Sequence, residues 1–307
     1  MINSENKNEY KRNIITIGVV NFNPFYGDKQ KNTEKIIDYS IAASEKGANI
    51  VLFPEMCLTG YDIFIDENIS SKEKRDLGEV INGKYVNAIL KTSKNINSYI
   101  VFGMPEIFDD NLYNTAIVAG PEGLVGAYRK IHPYDKENCW CKKGDSPFYF
   151  QSPWGPIAIG ICYDTYQFPE LMRYYAYKGC RLYLNPTALA EEIQINDSKK
   201  SFIKSYTTMI EYGVLANSIF IASSNLAGYD GRIYFGGGSM IMGPKITPFK
   251  ENDSKIYCGD DKDGNERLHV GTIDLSLSTL NIFRENSYTH EPDFRPDIYI
   301  KLYENLV

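Results

Sequence analysis

Three apolar runs of strand length, each broken off by a reactive side chain, constrain this chain more than any other feature. IVLFPE ends at Glu55, GLVGAYRK at Lys130 and IAIGIC at Cys162. Short runs of this kind suit strands buried in a layered α/β structure. Such sheets bind ligands outside the carboxyl ends of their strands, so a carboxylate, a cation and a thiol can converge in one crevice. That trio suits thiol-based acyl transfer.

Around these runs the pattern alternates. Ile14 to Val20 reads as a buried strand, and Asn32 to Lys46 carries helical apolar spacing at Ile36, Ile37, Ile41 and Ala42 before Gly47 stops it. The strand Ile50 to Phe53 completes a β-α-β unit, which implies a parallel pair. Strands are predicted at Tyr99 to Phe102, Thr115 to Ala119 and Leu124 to Tyr128, the last two joined by the turn at Gly120 to Gly123. The second half repeats the alternation with a strand at Ile157 to Ile161, a helix at Pro169 to Lys178, a strand at Arg181 to Leu184, a helix at Ser201 to Ala216 and a strand at Ile219 to Ala222. No Ser/Gly/Pro linker divides the halves, so one domain over residues 1 to 307 is expected, its core from about residue 13 to 300. Lys245 to Arg267, polar and rich in Asp, Lys and Gly, reads as a surface excursion before a strand at His269 to Ile273. The aromatic carboxyl-terminal stretch reads as a docked tail.

A formal charge of −6 with dispersed Lys and Arg gives no basic footprint for nucleic acid. The polar amino terminus lacks the apolar stretch of a secretory signal, and no run has membrane-spanning length, so a cytoplasmic location is expected. The six cysteines show no disulfide framework and are expected to be reduced. Cys139 and Cys141 could form half of a zinc site, but no second pair has ligand spacing, and ordinary packing thiols are the better reading. The acidic run at residues 260 to 263 lacks the spacing of a calcium loop and reads as solvated surface.

Taken singly, each reactive residue has a bland alternative. Cys162 could be a buried packing thiol, Glu55 a solvated loop carboxylate and Lys130 a surface lysine. Their joint occurrence at strand ends changes the weighing. A Cys-His design has little support, because of His132, His269 and His290 only His132 is near a candidate residue, beside Lys130. Activation of the thiol by a carboxylate is simpler.

At this point the motifs become specific. GANIVLFPEMCLTGY at residues 47 to 61, YRKIH at 128 to 132 and GICYD with FPE within 160 to 170 resemble the glutamate, lysine and cysteine motifs of the nitrilase superfamily of carbon-nitrogen hydrolases. The likeness extends from Ile15 to Asn21, through FGGGSMIMGP at 235 to 244, to FRPDIY near the end. The resemblance implies Cys162 as nucleophile, Glu55 as general base, Lys130 beside the oxyanion and Glu137 as a further active-site glutamate ahead of Gly144-Asp145. Glu137 could instead be a surface charge. Tyr163, through its backbone N–H, and Tyr61, Asp164 and Asn185 are oxyanion or substrate-binding candidates. The implied fold is an α-β-β-α sandwich, paired into an α-β-β-α-α-β-β-α dimer, and no metal or organic cofactor is implied.

Tyr163-Asp164 after the cysteine sides with amidase branches rather than nitrilases. Branches acting on N-carbamoyl amino acids place an Arg shortly after the cysteine, whereas here Thr165, Tyr166 and Gln167 occupy that stretch and the first Arg is Arg173. A small amide or N-carbamoyl amine is the expected substrate, with a neutral or cationic tail favoured over a carboxylate. Acyl transfer to an amine and a non-catalytic interaction subunit are the alternatives. Asn21, where relatives have Gln, reads as a scaffold change. The loops at Thr59 to Asp66, Asp135 to Asp145 and Ala188 to Asp197 are expected to shape the pocket.

Overall fold

The computed structural model describes residues 12–190, 198–247 and 250–306. The first half runs β1 (Ile14–Asn21), α1 (Lys29–Glu45), β2 (Ile50–Leu52), α2 (Asp62–Ile65), α3 (Ser71–Leu77), α4 (Lys84–Ile96), β3 (Tyr99–Phe108), β4 (Asn111–Gly120) and β5 (Gly123–Arg129). The second runs β6 (Phe148–Ser152), β7 (Gly155–Ile159), the single turn α5 (Tyr163–Tyr166), α6 (Pro169–Tyr177), β8 (Leu182–Thr187), α7 (Ser198–Asn217) and β9 (Phe220–Asn225). A hairpin β10 (Ala227–Asp230) and β11 (Ile233–Gly236) follows, then β12 (Met240–Thr247), β13 (Lys250–Gly259), β14 (Arg267–Asp274) and α8 (Pro296–Glu304).

Two six-stranded sheets result, ordered β14-β1-β2-β3-β4-β5 and β13-β12-β9-β8-β7-β6. Each has a parallel trio at its centre, β1-β2-β3 in the first and β7-β8-β9 in the second. The flanking strands run antiparallel. Central strands have both faces covered, which is why IVL of β2 and GPIAI of β7 are apolar at successive positions rather than at alternate ones.

Packing confirms four layers. Ile17, Leu52, Val101 and Val118 of the first sheet meet Ile157, Ile159, Leu184 and Phe220 of the second between the sheets. The outer face of the first sheet packs Ile36 and Ala43 of α1 and Val86 and Ile89 of α4, and that of the second packs Met172 and Tyr175 of α6 and Ile210 and Val214 of α7. Where the sheets approach, Ser224 of β9 donates to Val20 O at 2.6 Å and accepts from Val20 N at 3.1 Å, fixing β1 against β9.

Two expectations need correction. Residues 245 to 267 are not a surface excursion. They contain the end of β12 and all of β13, and only residues 260–266 connect β13 to β14. The polar composition that suggested a loop belongs to an edge strand, where charged side chains face solvent. The tail is docked only in part. Phe283 and Phe294 pack edge-on at 5.1 Å and both meet Tyr177, but α8 buries none of its side chains. Among the described residues, no helix is long and apolar enough to cross a membrane.

Candidate active site

β2 stops at Leu52, and the chain turns through Pro54 to deliver Glu55 at the carboxyl end of the first sheet. Gly103 of β3 permits that turn, because a Cβ there would come 2.7 Å from the Glu55 Cα and the Pro54 O. β5 ends at Arg129, so Lys130 arrives at the same sheet end, its N–H donating to Asn114 O at 2.8 Å. The Lys130 ammonium donates to Glu55 Oε1 at 2.7 Å and to Glu137 Oε1 at 2.9 Å, with Glu137 Oε2 at 2.8 Å. All three side chains are essentially inaccessible to solvent.

The remaining carboxylate lone pairs are also used. Asn114 Nδ2 donates to Glu55 Oε1 at 2.7 Å and Ala188 N to Glu55 Oε2 at 2.9 Å. The Tyr61 hydroxyl donates to Glu137 Oε1 at 2.7 Å and Tyr134 N to Oε2 at 3.0 Å. Buried ions persist only when paired and hydrogen-bonded in this way.

Cys162 comes from the second sheet. It is buried, with φ 48° and ψ −104°, a backbone conformation that a residue bearing a Cβ rarely adopts. Its N–H donates to Pro186 O and to Asn185 Oδ1, each at 3.0 Å, and this pair of acceptors holds the strained turn. Tyr163 N, the next donor, has no acceptor among the described residues.

The charges act on one another. Burial pushes Glu55 above the ordinary glutamate value; Lys130 pulls it back and Glu137 adds to the rise. Burial alone would push the Lys130 ammonium down, but Glu137 and Glu55 outweigh it and hold the group well above the usual lysine range. The Cys162 thiol is raised by burial and then by Glu55, against lowering by Lys130 and by a hydrogen bond with Thr187. The resting thiol therefore keeps its proton, and attack requires a base.

Glu55, Lys130, Glu137 and Tyr61 thus form one network, which also reaches Cys162 electrostatically. Asp164 is fully buried and accepts from His132 N, His132 Nδ1 and the Tyr128 hydroxyl, so it ties the lysine motif to the cysteine motif. Asn185 lies behind the nucleophile. Arg173 sits on α6 against Phe283 and Phe294, and Asn21 braces Ser239 N and Asp261 O. The loop at Thr59 to Asp66 contains α2, and Asp135–Cys139 forms a 3-10 turn. Of the loop at Ala188 to Asp197, residues 191–197 lie outside the described residues.

Sequence reading missed Asn114, Thr187, Ala188 N–H and Asp230. Asp230, on the β10-β11 hairpin, accepts from Tyr61 N and from Asp62 N at 2.9 Å and so fixes the peptide that carries Tyr61. None of these lies at a break in an apolar run. The one available signal was polarity inside strands: Asn114 in β4 and Thr187 in β8 are buried polar residues at sheet positions.

Where the two stacked sheets meet, a strained, buried cysteine thus lies within electrostatic reach of an ammonium bridged by two carboxylates. The model of the carbon-nitrogen hydrolase family matches residues 16–257, and the chain belongs to that family. It is 28% identical to a nitrilase from Pyrococcus abyssi over 76% of this chain and 82% of that protein. It is 29% identical to a formamidase from Helicobacter acinonychis over 89% of this chain and 81% of that protein. The fold matches that of an amidase from Nesterenkonia sp. AN1 at a TM-score of 0.71 and 21% identity, covering 94% of this chain and 96% of that one. In that structure the acetamide moiety of fluoroacetamide is covalently added at the active-site cysteine.

Proposed function

We propose that the protein is a cysteine-dependent amidase that cleaves the C–N bond of a small amide or N-carbamoyl amine through a thioester on Cys162. The observation that carries this reading is the Lys130 ammonium held at 2.7 Å from Glu55 and 2.8 Å from Glu137 beside the buried thiol. Glu55, raised by burial, takes the thiol proton as the sulfur attacks the carbonyl carbon. Lys130 and the Tyr163 N–H stabilise the oxyanion, a contribution of about 3 kcal/mol per well-placed donor. Glu55 returns the proton to the nitrogen as the C–N bond breaks, and ammonia or amine leaves. Water then attacks the thioester, giving its proton to Glu55, and collapse of the second tetrahedral species releases the acid and the thiol. Glu137 fixes Lys130 between two carboxylates.

Glu55 and Glu137 set two carboxyl groups against the single ammonium of Lys130. No arginine follows the nucleophile before Arg173, and the residues around it are aromatic, with Tyr134 and Phe168 packed on Tyr163 at 5.0 and 5.3 Å. This supports a substrate with a neutral or cationic tail. Ammonia release across aliphatic amides, N-carbamoyl amines, N-carbamoyl amino acids and nitriles, with Cys162→Ala as control, tests the reading. Release confined to carboxylate-bearing substrates would overturn the preference, and release unchanged in Cys162→Ala would overturn the mechanism. A homodimer belongs to the same reading, covering the exposed Ile300, Leu302 and Tyr303 of α8 and Tyr174 of α6. A monomer in light scattering at working concentration would remove that part.

A further inference from the structure

Behind the thiol runs a chain of neutral hydrogen-bonding groups whose direction can be worked out. The Cys162 N–H can only donate, so the group of Asn185 that faces it at 3.0 Å is the carbonyl oxygen, which also accepts from the Thr165 hydroxyl at 2.8 Å. The amide NH2 of Asn185 therefore points the other way, donating to the Tyr166 hydroxyl at 2.9 Å and to Ser223 Oγ at 2.8 Å. Having accepted from Asn185, Tyr166 donates its own proton to Thr187 Oγ1 at 3.1 Å. Among the described residues no acceptor takes the Thr187 hydroxyl proton, and the side chain beside it, brought there by the Cys162 N to Pro186 O bond, is Cys162, whose thiol Thr187 lowers.

The backbone places Thr187 for this. Pro186 O accepts from Cys162 N, and Ala188 N donates to Glu55, so Thr187 lies between the residue that anchors the nucleophile and the one that anchors the base. Its side chain is completely buried.

We propose that Thr187, oriented by Tyr166 and Asn185, is a positioning residue that donates its hydroxyl proton to the Cys162 sulfur. A sulfur accepting from one side keeps its own proton on another, free to leave to a base. Once the thiolate forms, the same hydroxyl stabilises it, in the same direction as Lys130 and without adding charge. Tyr166 and Asn185 act through Thr187. The inference rests on Cys162 being the nucleophile.

The test reads the thiol without any substrate. The rate of Cys162 alkylation by iodoacetamide is followed by peptide mass spectrometry across pH of about 7 to 11, in wild type, Thr187→Val, Thr187→Ser and Tyr166→Phe. Thr187→Val, which keeps the shape and loses the hydroxyl, is expected to slow alkylation at a given pH about tenfold and to shift the profile upward by about one unit. Thr187→Ser should restore the rate to within about twofold, and Tyr166→Phe should fall between. A Thr187→Val profile superimposed on wild type, or a Thr187→Ser variant as slow as Thr187→Val, overturns the proposal. In ammonia release, Thr187→Val should lower kcat about tenfold with KM unchanged. Should the wild type hydrolyse no amide, the amidase reading fails, while the alkylation profiles still decide the role of Thr187.

Discussion

The two sheets meet the crevice with different chemistry. From the first come Glu55 after β2, Lys130 after β5 and Glu137 in the turn beyond it; from the second come Cys162, Asn185 and Thr187, a thiol among neutral donors and acceptors, with the nearby Asp164 turned away to His132 and Tyr128. The difference follows from the cost of burial. Each unpaired ion out of water costs several kcal/mol, so the charges are gathered where they neutralise one another, one ammonium between two carboxylates. The thiol is already raised by burial and by Glu55, and a further anion beside it on the second sheet would raise it more. Hydroxyls and an amide hold it without that penalty.

The comparison breaks first at the thiol. Cys162→Ser should keep the fold, since Pro186 O and Asn185 Oδ1 still hold the backbone, yet lose turnover by about 10⁴-fold in ammonia release. Lys130→Met attacks the other sheet, with an expected loss of about 10³-fold in kcat from the missing oxyanion donor. It also leaves two buried carboxylates unneutralised, at about 3 to 5 kcal/mol in urea unfolding. Adding Glu137→Gln to Lys130→Met should restore part of that stability and none of the activity, and a double variant no more stable than the single one would mean that the charges do not compensate as described.

Glu137→Gln alone sharpens the picture. It should lower kcat about tenfold, because Lys130 loses one of its two partners. The raised Glu55 places the acid limb of the wild-type rate profile above the ordinary glutamate value, since the base must be ionised to act. Removing the Glu137 charge takes away one cause of the rise, so the limb should move to lower pH.

Asp230 offers a test of stability alone, a buried carboxyl group compensated by the backbone N–H groups of Tyr61 and Asp62. Burial raises it to about 6. A carboxyl with a folded value above its unfolded one is most stabilising when protonated in both states, below pH of about 4, and that contribution is lost as pH rises through 6. The stability of wild type relative to Asp230→Asn should therefore fall by about 3 kcal/mol between those limits, measured by urea unfolding at each pH.

How far the sequence carried this account depended on what each residue interrupts. Glu55, Lys130 and Cys162 were legible because each ends an apolar run, and a charged or reactive side chain there must emerge at a sheet end. The runs gave an alternating α/β pattern, and the four layers followed from the resemblance to the nitrilase superfamily. β13 was not legible, because an edge strand has a polar face and the segment DSKIYCG sits among charges that read as a loop. Asn114, Thr187 and Tyr166 were not legible either. They are ordinary polar residues whose roles exist only once β4 lies beside Lys130 and β8 beside the nucleophile turn.

The most direct test of the central claim, that charges from one sheet activate a thiol from the other, is intact-mass and peptide mapping of the Glu55→Gln variant and wild type after exposure to a short-chain activated ester. An acyl group on Cys162 that the wild type clears and Glu55→Gln retains is the expected result. Acylation at another residue, or clearance equally fast in both proteins, would contradict the account.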